Sequence, residues 1–172
     1  ENIMQRLVTP SAQISVRGLL TIHSAPSALR HHIDWAIQNI VGADAQVNWQ
    51  PQSLMVGTFK TKCQWRGRGG SGAEIASTLR SWHYLNFEVL EENENGGELF
   101  RFTPELGLHR AVTDLSGAVL LNEFAINNVM QKAFDEDSIR QGLLQAMGTA
   151  WDMELERFRS AGMGEPARLH AI

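Results

Sequence analysis

The stretch from Thr58 to Arg66 reads Thr-Phe-Lys-Thr-Lys-Cys-Gln-Trp-Arg, and its alternation constrains the fold more than any other feature of the chain. Phe59, Thr61, Cys63 and Trp65 fall on one side of an extended backbone, and Lys60, Lys62, Gln64 and Arg66 fall on the other. A period of two belongs to a β-strand, so this segment lies in a sheet with one buried face and one basic face. Cys63 is then a core thiol. It is the only cysteine in 172 residues, so no internal disulfide is available. With no basic-then-apolar leader in the first six residues, this points to a reduced, cytoplasmic setting.

A strand needs neighbours. Val16 to Ile22 is apolar on both pleat faces and reads as a strand inside the sheet. It runs into His23-Ser24-Ala25-Pro26, where Ser24 is placed to cap a helix and Pro26 to sit in its first turn. Leu29, Ile33, Ala36, Ile37 and Ile40 then form a core-facing stripe that ends at Gly42. On the far side of that helix His31, Trp35 and Asn39 lie together, with a tryptophan where a polar residue is expected, and they are the candidate interface. Residues 1–15 show no period and contain Pro10; they read as an N-terminal arm, and residues 16–172 as a single domain of ordinary size.

Further along, Gln46 to Gln50 reads as a strand ended by Pro51, and Ser71-Gly72-Ala73-Glu74 has the spacing of a capping box before a short helix to about Arg80. Leu85 to Glu92 and Leu99 to Thr103 flank an Asn95-Gly96 hairpin turn. Leu108 to Thr113 and Ala118 to Leu121 suggest a second hairpin. Ile126, Val129, Met130, Ala133 and Phe134 form a helical stripe. Leu143, Met147, Trp151, Leu155 and Phe158 form another, on one helix or on two that meet at Gly148. The expected fold is α+β: a ferredoxin-like βαββαβ core extended by two hairpin strands and a C-terminal helical segment. The helices would cover one sheet face, leaving Lys60, Lys62 and Arg66 on the other.

The chemistry-bearing residues are sparse. Gly67 to Gly72 satisfies G-x-G-x-x-G between a strand and a helix, so Arg66, Arg68, Gly69, Gly70, Ser71 and Gly72 are a candidate anion-binding loop. A plain capped helix start competes with that reading. Glu91 has the offset of a ribose-binding carboxylate but sits beside a hairpin turn. His23, Glu105, His109 and Arg110 are catalytic candidates if the fold brings them together. No His-x-x-x-His or Cys-x-x-Cys spacing exists, so no metal is expected, and no cofactor is implied. A net charge of −4 and a pI near 5.9 argue against a broad nucleic-acid surface. No apolar run approaches the ~20 residues that span a bilayer.

The residues also carry a resemblance. The runs His23 to Pro26, Asp34-Trp35-Ala36, Ser71-Gly72-Ala73 with Leu79-Arg80 and Trp82, and Phe87-Glu88-Val89 belong to it. So do Thr103 to Gly107 with Arg110-Ala111, Gly148 to Asp152 with Glu154-Leu155, and Phe158-Arg159 with Ala161-Gly162. Through these, from Arg17 to Leu169, the chain resembles the actinobacterial family catalogued as domain of unknown function 3145. The resemblance implies no activity. Similar genes often lie near those for fatty-acid synthesis, which implies one alternative: a small-molecule or acyl-thioester-binding enzyme or accessory factor of lipid metabolism. The residues themselves favour a non-enzymatic cytoplasmic binding domain that contacts a partner protein or associates with itself as a homo-oligomer. A small anionic ligand remains open beside that reading.

Overall fold

In the computed structural model, which describes residues 15–163, the elements run β1 (Ser15–Pro26), a 3-10 turn (Ser27–Leu29), α1 (Arg30–Val41), β2 (Gln50–Pro51) and β3 (Thr58–Arg68). They continue with α2 (Ser71–Leu79), β4 (Asn86–Asn93), β5 (Gly96–Thr103), β6 (Gly107–Thr113) and β7 (Val119–Leu120). Three helices follow, α3 (Glu123–Lys132), α4 (Glu136–Met147) and α5 (Thr149–Met163). Apart from Ser15, which starts β1, the expected N-terminal arm lies outside the described residues.

The strands form one seven-stranded sheet in the order β2-β3-β1-β4-β5-β6-β7. Every pairing is antiparallel. The fold is therefore α+β, with β1 inside the sheet between β3 and β4 as its two apolar faces require. One sheet face carries the main core. Leu20, Ile22, Cys63, Trp65, Phe87 and Val89 meet Ile33 and Ile37 of α1 and Ile75 and Leu79 of α2 there. Cys63 is 1% exposed, and burial, helped by nearby Asp34, raises its thiol pKa above the ordinary value.

The opposite face is not left open. α5 packs on β5 and β1, burying Trp151, Leu155 and Phe158. Each such side chain contributes about 2 kcal/mol by leaving water. α3, by contrast, buries only Val129, which sits against Gly142 of α4.

Two helix starts differ from the sequence reading. β1 continues to Pro26, so Ser24 caps no helix; its hydroxyl accepts from Asn86 Nδ2 at 2.8 Å, and α1 begins only at Arg30. Pairing with both neighbouring strands overrides a local capping signal that offers about 1 kcal/mol. Ser71 and Glu74 form no capping box either: Gly70 is the N-cap, at φ 93°, and the Ser71 hydroxyl donates to the Arg68 carbonyl. A capping box does occur between Asp135 and Ser138, restarting the chain as α4. At the two sheet edges β2 and β7 are shorter than their patterns suggest, and Pro51 pairs with Phe59 on an edge where its missing N–H is tolerated.

The closest packing in the sheet is at Gly18, opposite Trp65, whose indole ring covers the position where a side chain would stand. An added Cβ would collide with that ring and with the Leu90 carbonyl oxygen. Gly18→Ala should lower the unfolding free energy by about 2 kcal/mol or more in a denaturant titration, since neither the sheet backbone nor a core tryptophan can step aside. An unchanged midpoint would refute this packing.

Candidate functional site

β1 carries one extra residue against both neighbours between Ile22 and Ala25. This bulge frees the His23 carbonyl, which accepts from Gln52 Nε2 at 2.7 Å. It also presents His23 on the sheet face beneath α5, where its ring stacks on Phe158. His23 Nε2 lies 2.6 Å from Glu88 Oε2, and the same oxygen accepts from Arg159 Nε at 3.2 Å and Nη2 at 2.9 Å. Arg159 Nη1 donates to Asp152 and Glu156.

Burial would raise the Glu88 carboxyl, but the hydrogen bond from His23 and the Arg159 charge outweigh it, so the group is held below its ordinary value and stays ionised. An ionised carboxylate only accepts, so His23 Nε2 carries the proton of that bond. Arg159, despite partial burial, is held above the usual guanidinium range by Glu88, Asp152 and Glu156. A histidine with a carboxylate is half of an acid–base device. Its sequence neighbour Ser24 is 1% exposed and engaged by Asn86, so Ser24 is no accessible nucleophile for the pair. What the cluster does is join β1, β4 and α5.

A second group of polar contacts holds the end of α4. Arg101, 4% exposed, donates from Nη2 to the Met147 carbonyl at 2.8 Å, and its Nη1 lies 3.8 Å from Asp152. His109 Nε2 bonds the Ala146 carbonyl at 3.0 Å, and its ring packs against Trp151. A cation at a helix C-terminus meets the negative end of the helix dipole. Burial pushes the His109 pKa down against the pull of that carbonyl, and the Arg101 charge pushes it further. The neutral ring then leaves Nδ1 as a buried acceptor without a partner among the described residues.

The four catalytic candidates do not converge. His23 on β1 and His109 on β6 are separated by β4 and β5, about 14 Å at the usual strand spacing. Arg110 points to the other face, where it makes two bonds to Glu98. Glu105 is exposed in the β5–β6 turn.

At the glycine-rich loop, Glu91 is 8% exposed and accepts from the amides of Gly70, at 3.1 Å, and Gly72, at 2.9 Å. The chain's own carboxylate thus occupies the amides proposed for an external anion at Gly69 to Gly72, while Arg66 and Arg68 project into solvent. A Cβ on Gly72 would come within 2.9 Å of Glu91 Cβ, so the glycine makes room for the cap. Sequence reasoning located Glu91 by its offset but gave it another partner.

Trp35 is 69% exposed, with His31 and Asn39 exposed beside it on α1. The larger uncovered surface is on α3 and the turn after it. Phe124 is 84% exposed, Met130 61% and Phe134 89%, although Met130 and Phe134 belong to a stripe with the spacing of a buried face; α3 ends at Lys132, so Phe134 stands in the turn after it. Among the described residues no group of histidine, cysteine and carboxylate side chains is placed to hold a metal, and no helix is long and apolar enough to cross a membrane.

Because Glu88 is depressed on folding, the ionised form stabilises the native state above the ordinary carboxyl value of 4.5, and that contribution is lost as pH falls through the lower folded value. Glu88→Gln should cost about 2 kcal/mol at pH 7, the worth of charge-assisted bonds, and should flatten the fall in stability below pH 4.5. Urea titrations at several pH values read both effects; a mutant with wild-type acid sensitivity would assign that sensitivity elsewhere.

Over residues 19–171 the chain matches the family model described as "Protein of unknown function (DUF3145)". No curated protein and no solved structure matches it. The shared stretch takes in the sheet from Leu19 onward, the α5 cluster and the α3–α4 hairpin, so the chain belongs to the DUF3145 family.

Proposed function

We propose that the protein is a non-enzymatic interaction domain that binds another protein, its own copy included, through the apolar surface of the α3–α4 hairpin. The observation that carries this reading is the exposure of Phe124, Met130 and Phe134 on and just beyond a helix whose main packing partner is α4. Large apolar side chains left in water along one helix and the turn after it mark a contact surface. Trp35 with His31 and Asn39 supplies a second, smaller contact on α1. The reading includes a ferredoxin-like core for the first six elements, supported by the antiparallel order β2-β3-β1-β4. It also includes a cytoplasmic setting, supported by a single buried thiol, and the actinobacterial family range that the resemblance implies.

The double variant Phe124→Ser, Phe134→Ser should keep the wild-type melting temperature, because neither side chain is buried, and should lose association. Light scattering after size exclusion reads self-association, and cross-linking in a lysate reads other partners. A monomeric wild type whose cross-linked partners are unchanged in the double variant would sink the proposal.

A further inference from the structure

Beside the end of α5, on the sheet face that carries His23, lies a cavity of about 530 Å³ lined by His23, Asn48, Gln50, Lys60, Lys62 and Arg159. Small-molecule sites run from roughly 300 to 1,000 Å³, so the volume suits a metabolite rather than a protein segment. Its wall holds three cationic side chains and no carboxylate.

The three cations differ in what they have left to give. Four bonds from Arg159 go to Glu88, Asp152 and Glu156, which leaves one of the guanidinium's five N–H donors and little uncompensated charge. Lys60 and Lys62 take part in none of the ion pairs among the described residues. Two residues apart on β3, their Cα atoms stand about 7 Å from one another on one face. Their long stems allow both ammonium groups to meet at a single ligand group. Like charges held this close repel, and a dianion between them turns the repulsion into two attractions.

We propose that this cavity binds a small dianionic metabolite, a phosphate monoester or a polycarboxylate, held by Lys60 and Lys62 with the amides of Asn48 and Gln50 at its uncharged oxygens. Phe158, stacked on His23, forms the apolar floor. The site shares no residue with the α3–α4 surface or with the Gly69 to Gly72 loop. Its failure therefore leaves the interaction reading standing.

The test uses the full chain and two ligands, inorganic phosphate and citrate, each compared with sodium chloride at equal ionic strength. At about ten times its dissociation constant, a bound anion raises the melting temperature of a chain this size by about 3 °C. Lys60→Gln and Lys62→Gln should each remove most of that shift, while Arg68→Gln, outside the cavity, should retain it. If Lys60→Gln does not fold, Lys62→Gln at its exposed position carries the test alone. A response to phosphate alone selects the phosphate ester, and a response to citrate alone selects the polycarboxylate. No stabilisation beyond chloride by either anion, or a shift that survives Lys62→Gln, would overturn the proposal.

Discussion

One half-buried oxygen, Glu88 Oε2, ties the centre of the sheet to the last described helix. It receives His23 from the bulge of β1 and Arg159 from α5, so a strand at the centre of the sheet and the last described helix share a single acceptor. Burial alone would drive this carboxylate toward the neutral acid, and its two partners together hold it ionised. Trp151, Leu155 and Phe158 supply the bulk of α5's attachment, and Trp151 Nε1 also donates to the Gly107 carbonyl at 2.9 Å. The salt link is a second directional tie, and Arg101 and His109 hold the end of α4 in turn. α3 comes at the end of this series, packed on α4 with Val129 against Gly142.

Much of this architecture was legible in the residues. The alternation of Phe59 to Arg66 placed a strand with one buried face, the two-sided apolar run of Val16 to Ile22 placed another inside the sheet, and Asn95-Gly96 marked the β4–β5 hairpin, whose turn falls one residue earlier at Glu94-Asn95. What escaped was governed by partners distant in sequence. Ser24 looks like a cap until Asn86, 62 residues away, takes its hydroxyl. Ser71 and Glu74 have the right spacing for a capping box, yet Glu91 from β4 reaches the amides first.

The site was less legible than the fold for a related reason. His23 stood out as a histidine at a strand end, but its partners Glu88 and Arg159 lie 65 and 136 positions further on, in runs that carry the resemblance yet show no chemistry of their own. Pleat parity separates Arg110 from His109, although they are adjacent in sequence. The stripe of Ile126, Met130 and Phe134 was readable as apolar, but α3 stops at Lys132, short of Phe134, and periodicity states only that a face seeks cover, not whether the same chain provides it.

The two short outer strands bear on how such a protein can meet others. Each end of the sheet offers a paired segment of only two residues, one of them containing a proline with no amide hydrogen to lend. Either segment lends a visiting strand no more than a rung or two of main-chain bonds. Past them, β3 beyond Lys60 and β6 before Val112 run on with no strand on their outer side among the described residues, so the sheet is blunted at two points and its long outer strands keep main-chain groups to offer.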